Sequence, residues 1–211
     1  MPRKFDPDEK SRIQRKLLEA GRSLFAKYGF KKTNVGELAK AAGIASGTFY
    51  LFYRSKEELF FELMEEEERS IQQAVLARLE NASESKDAIR LLFKEGFRLM
   101  TESPILREVL LPEQLEAVMR KLPPEKMERN YAMDVRKLSP LIRRWQEDGA
   151  LRADMSPEII VSMLRSLLLL SLHKQTIGES VYEATMEALI GAVADGLSVE
   201  KEGGRPHHDR G

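Results

Sequence analysis

Ser46, Gly47, Thr48 and Tyr50 follow a glycine-containing turn at Ala42-Gly43-Ile44, interleaved with Phe49 and Phe52. The chemistry they offer is recognition. A hydroxyl at Thr48 or Tyr50 can reach a phosphate or a base edge. If Ser46 and Gly47 open a helix, its free backbone N–H groups and its dipole favour an anion. The parts of an enzyme are missing: there is no phosphate-cradling glycine loop, no H-E-x-x-H and no nucleophile elbow. Carboxylate pairs abound, but an acidic helical surface carries those for solubility. The chain has no cysteine, which excludes disulfide and thiolate chemistry, and neither a cofactor nor a metal site is expected.

What must position these hydroxyls is less obvious, because Thr-Phe-Tyr-Leu-Phe-Tyr at 48–53 has the composition of a β-strand. No second strand signal follows, and a lone strand leaves its backbone groups unpaired. The flanks point elsewhere. Asn34 with Glu37 three residues on is a helix start, and Gly43 is a helix stop. A helix, a glycine turn and a second short helix from Ala45 or Ser46 are the spacing of a helix-turn-helix, whose second helix enters the DNA major groove. Read as helix, Phe49 and Phe52 pack inward while Thr48 and Tyr50 face elsewhere.

The rest of the chain reads as helix too. Ile13, Leu17, Leu18, Gly21, Leu24, Phe25 and Tyr28 form one apolar face, opened by Asp6, Pro7 and Glu9 and ended by Gly29. Ser55 opens a longer helix through Leu79, and further helices are expected at about 86–101, 104–111, 112–121, 124–148, 157–175 and 179–198, with a kink at Pro140. The formal charge of zero is a cancellation. Residues 1–56 hold 13 Lys or Arg against 5 Asp or Glu (+8), and residues 57–211 hold 21 against 29 (−8). A basic module for a polyanion on an acidic body is the implied organisation. "MPRKFDPDEK" lacks the apolar core of a signal peptide. The apolar run Ile159 to Leu172 has 14 residues and contains Arg165, too short and interrupted to span a bilayer. A cytoplasmic protein without membrane contact is expected.

"LFAKYGFKKTNVGELAKAAGIASGTFYLFYRSKEEL" (Leu24 to Leu59) resembles the N-terminal domain of TetR-family transcriptional regulators. The resemblance covers roughly residues 10–60, and the acidic remainder is similar to the family's dimerisation and ligand-binding domain in helix count. It implies that Thr33 and Asn34 meet the DNA backbone, that Ser46, Gly47 and Thr48 form the recognition surface, and that Tyr50 and Lys56 hold phosphates with Tyr53 flanking them. Three departures matter. Ala45 stands where the family often has a capping serine, Gly36 lacks a base-reading side chain, and Phe52-Tyr53 inverts the common order.

The expected fold is all-α: an N-terminal three-helix unit with the helix-turn-helix at 1–55, a larger helical body for ligand binding and dimerisation at 56–200, and a disordered tail at 201–211. For a mostly apolar effector, Phe93, Phe97, Met100, Met127, Tyr131, Trp145 and Met163 are the expected lining, methionines adapting to varied ligands; an ordinary packed core is the alternative. For a homodimer interface the candidates are Leu167 and Ser171 on the apolar helix and Ala184, Ala188, Leu189, Ala192 and Val193 on the last one. The glutamates between Glu57 and Glu68 read as a solvated helix face, or as a charge that steers DNA approach. His173 reads as a core or interface histidine or a ligand contact, and His207 and His208 as incidental. The function expected is a regulator, a repressor above all, that binds a palindromic double-stranded operator as a homodimer and is released by a small molecule. The rivals are a constitutive architectural DNA binder, which needs no second domain, and a helical small-molecule carrier, which needs no basic N-terminal part.

Overall fold

The computed structural model describes residues 5–79 and 85–199, and among them every regular element is a helix. The tail expected at 201–211, with His207 and His208, lies outside the described residues.

The N-terminal unit comprises α1 (Pro7–Lys32), α2 (Val35–Ala41) and α3 (Ser46–Phe49). Asp6 caps α1 by accepting from the Glu9 N–H at 2.7 Å. Gly29 does not end α1 outright. It interrupts it at φ 80°, and the chain continues as one more turn to Lys32. A side chain there would be strained, and its Cβ would stand 3.2 Å from Glu108 Oε2. Asn34 and Glu37 make the reciprocal capping box of α2, and Gly43 turns at φ 73° into α3.

The body follows as α4 (Lys56–Leu79), α5 (Ser85–Glu102), α6 (Leu106–Val109), α7 (Pro112–Met119), α8 (Pro124–Glu147), α9 (Pro157–Ser171), α10 (Lys174–Ile177) and α11 (Tyr182–Leu197). Ser156 caps α9 through the Ile159 N–H. The helix expected at 157–175 is thus two: Leu172 and His173 turn the chain into α10, and His173 is exposed rather than a core residue. α8 keeps its helical assignment through Pro140.

Two cores hold these elements. The larger runs unbroken from Leu17, Phe25, Leu38 and Phe49 through Phe60 and Leu63 of α4 to Met100, Leu106 and Val118. Phe25, Phe30 and Phe60 form its aromatic centre, Phe25 and Phe60 edge to face at 5.0 Å. The second joins Ile89, Ile142, Ile160, Leu164 and Leu197 in α5, α8, α9 and α11.

The glutamate run of α4 is not a solvated face. Glu57 is 5% exposed and pairs with Lys121, Glu58 with Lys126, and Glu66 and Glu67 with Arg22 of α1. Packing puts neighbours on nearly every side of α4, so its carboxylates fasten it to α1, to the turn after α7 and to α8. Burial alone would raise Glu58, but the Arg54 backbone N–H and Lys126 outweigh it and hold the carboxyl below its usual range.

Candidate nucleic-acid interface and body cavity

A single helical turn has no stability of its own, and α3 is anchored by buried aromatic side chains at and just beyond its C-terminal end. Phe49 is 0% exposed and Tyr53, four residues on, 2%; each such side chain contributes on the order of 1.5–3 kcal/mol of burial. The helix expected through Tyr53 stops at Phe49, with Tyr50 as its C-cap and Phe52 and Tyr53 both bonded back to the Phe49 carbonyl. Phe52 is only half-buried, against Phe5. Ala45 provides no side-chain cap, and Ser46 does not replace one.

This anchoring leaves a polar ridge outward. Ser46 and Gly47 are exposed, Thr48 is half-buried, and Tyr50 stands 57% exposed. Gly36 lies beside them, where an added Cβ would come within 3.2 Å of Asn34 Oδ1 and press on the capping box. A groove beside α3 is lined by Gly47 and Thr48 on one wall and by Arg12 and Lys16 of α1 on the other. Both cations are exposed. In the sequence their only signal is the basic charge of the first 56 residues, which does not single them out.

Three expected contact residues belong to the scaffold instead. Thr33 is 1% exposed and donates its hydroxyl to the Gly29 carbonyl at 2.9 Å. Tyr53 is buried with its hydroxyl towards Gln14 and Glu62, and burial, reinforced by Glu62, pushes that phenol above its ordinary value. Lys56 Nζ donates to the carbonyls of Phe30 at 2.7 Å and Thr33 at 2.8 Å, and lies 4.5 Å over the Phe30 ring. Burial pulls its pKa down. The cation serves the orphan carbonyls at the end of α1, and no phosphate is needed to explain it. Asn34 is exposed, but its side chain is occupied by the Glu37 N–H.

Two substitutions separate these roles. Lys56→Ala is expected to lower the stability of the N-terminal unit by about 1.5–3 kcal/mol, seen as a lower urea midpoint, and to leave the salt dependence of DNA binding unchanged. Replacing Ser46 or Thr48 with alanine is expected to keep the fold and shift base preference by ~1–3 kcal/mol for each base interaction removed, read by binding to a panel of single-base operator variants.

The body encloses a cavity of about 230 Å³ among α4 to α9, extending to Leu172. Phe97 and Met100, two of the residues expected to meet a ligand, line it. Met127, Tyr131, Trp145 and Met163 do not: Tyr131 and Met163 face a shallow surface depression beside α9, Trp145 packs in the second core, and Met127 is 37% exposed. The side chain of Phe93 lies outside the described residues. The cavity wall includes residues that sequence reasoning missed, chiefly Glu68, Gln72, Asn130, Asp134 and Arg165. Of the proposed interface residues, Ala184, Ala188 and Ala192 form an exposed stripe on α11 and Leu189, Val193 and Ser171 are half-buried, but Leu167 is 6% exposed and belongs to the second core.

A helix-turn-helix with its second helix outward, set on a larger helical body, is the architecture of a DNA-binding regulator. Residues 17–63 match the family model described as "Bacterial regulatory proteins, tetR family". These residues are therefore similar to the DNA-binding domain of that family. YhgD of Bacillus subtilis, an uncharacterized HTH-type transcriptional regulator, is 43% identical over 47 residues, 22% of this chain and 25% of that protein. The "Fatty acid metabolism regulator protein" of the same organism is 25% identical over 84 residues, 40% of this chain and 43% of that one. The chain thus spans less than half the length of these two relatives. The fold extends further: a TetR-family transcriptional regulator from Pectobacterium atrosepticum superposes with a TM-score of 0.70 at 19% identity, over 93% of this chain and 99% of that one. Among the described residues no helix is long and apolar enough to cross a membrane.

Proposed function

We propose that the chain is a homodimeric transcriptional repressor that binds a palindromic operator through α3 and is released by a small, mostly apolar molecule in the body cavity. The observation that carries this reading is that the same elements line the cavity and hold the DNA-binding unit. Phe61, Met64 and Ile71 of α4, Leu106 and Val109 of α6 and Leu115 and Met119 of α7 face the cavity. From those helices Lys56 of α4 holds the end of α1, Glu108 of α6 accepts the Phe30 N–H at 2.7 Å, and Glu113 of α7 pairs with Lys31 at 3.3 Å. A ligand that spreads α4 from α6 and α7 pulls on the Gly29–Thr33 corner where α2 begins, and so on the angle of α3. Dimerisation supplies the second recognition helix. It is supported by the exposed alanine stripe of α11 and by Ile159, Leu169 and Leu170 of α9, at 53%, 45% and 36% exposure.

Coupling of ~1–3 kcal/mol would change operator affinity 5–150-fold, and linkage requires operator DNA to weaken ligand binding by the same factor. The test is ligand affinity measured with and without saturating operator. Equal values would mean that the ligand regulates nothing.

A further inference from the structure

The cavity wall is apolar except where α4, α8 and α9 meet. There Arg165 binds Asp134 and donates to Asn130 Oδ1 at 3.0 Å, while Gln72 Nε2 donates to Asp134 at 2.7 Å. The guanidinium and Asp134 are matched to each other. Lys137 donates to Gln72 Oε1 at 3.0 Å, one step removed from the two carboxylates. Glu68 is left over. Among the described residues it receives one hydrogen bond, a long one of 3.3 Å from Asn130 Nδ2, and it lines the cavity. We propose that the cavity selects an apolar ligand carrying one basic nitrogen, whose ammonium pairs with Glu68. The inference rests on the reading of this cavity as the effector site.

The charge count favours a cation over its rivals. Two carboxylates, Glu68 and Asp134, share the wall with one guanidinium, so an ionised Glu68 leaves one uncompensated negative charge. An ammonium cancels it. A carboxylate ligand would meet both acids and an arginine already committed to Asp134 and Asn130. A neutral ligand would leave Glu68 to carry its own proton, since a carboxylate with one long hydrogen bond beside Asp134 is costly to ionise away from water. Burial, with Asp134 and Glu65 adding and Asn130 and Arg165 opposing, raises the Glu68 carboxyl to about 7. Near neutral pH the ammonium therefore takes the place of a proton, which leaves to solvent.

The experiment titrates the full chain at pH 7 with octylammonium, octanol and octanoate, three probes with the same tail, by calorimetry in buffers of different ionisation heat. Octylammonium is expected to bind about 10-fold or more tighter than the other two, the equivalent of returning Glu68 by one pKa unit, and to release protons. Glu68→Gln should abolish both the preference and the release. Leu168→Trp, at a partly exposed position of the wall (38%), should weaken all three probes and so place them in this cavity. Octanol or octanoate binding as tightly as octylammonium would overturn the inference, as would a preference that survives in Glu68→Gln or silence from all three. Octylammonium binding with the expected preference but no effect on operator affinity would uphold it and overturn the effector reading alone.

Discussion

Arg165→Ala is expected to destabilise the body by about 3 kcal/mol, towards the low end for breaking a buried ion pair. Both partners keep some solvent access, 29% for the Arg165 side chain and 19% for Asp134, which moderates the loss. Without the guanidinium, Asp134 keeps only the Gln72 amide, and two carboxyl groups face each other across the cavity wall. The pH dependence gives the sign. Arg165 lowers the Glu68 pKa, and Asp134 raises it. Removing the arginine therefore pushes that carboxyl further above its unfolded value of 4.5. A carboxyl raised by folding binds more protons in the native state, so stability falls as pH rises through its titration. The cost of Arg165→Ala should be larger at pH 8 than at pH 5. Urea unfolding at the two values checks it, and an equal cost at both would show that the arginine acts by packing alone.

Ala188→Arg is expected to reduce operator affinity by ~10²–10⁴-fold, the avidity gained when a second binding event is made intramolecular. Ala184, Ala188 and Ala192 recur at four-residue spacing and are exposed, so they share one face of α11. Small side chains there let a second copy approach closely, and an arginine would put an unpaired charge into the contact. The monomer should hardly notice, since exposed substitutions of this kind stay within about 0.5 kcal/mol. Sedimentation should find a folded monomer. A variant that remains dimeric with full operator affinity would move the interface away from α11.

The parts of the fold that were legible in the sequence are those fixed within a few residues. Asp6 and Asn34 declare helix starts because a short polar side chain can reach its own N3 amide, and each does so. Asn34, Glu37 and Gly43 placed α2 and the turn, and the start of α3 but not its end. What the motif could not supply was the inward demand on particular side chains. Thr33, Tyr53 and Lys56 are polar at the surface of a helical wheel, yet the kink at Gly29 opens carbonyls that Thr33 and Lys56 satisfy. The cavity was harder still. Its wall is drawn from helices far apart in sequence, and of the large apolar residues chosen at helical spacing Phe97 and Met100 line it while Tyr131 and Met163 face a surface depression. Glu68 was hidden by its neighbours. Inside "EEEER" it reads as solvent-facing, and only the packing of α8 and α9 over α4 turns it into the cavity.

On the proposed function, α3 and the basic groove beside it read a two-fold symmetric DNA sequence as a dimer. The most direct test selects sites from a random duplex pool and measures fluorescence anisotropy with the selected and scrambled duplexes at physiological salt. Two protomers per duplex are expected on a two-fold symmetric site, bound at least ~10³-fold tighter than scrambled DNA. The same affinity for both duplexes would contradict it.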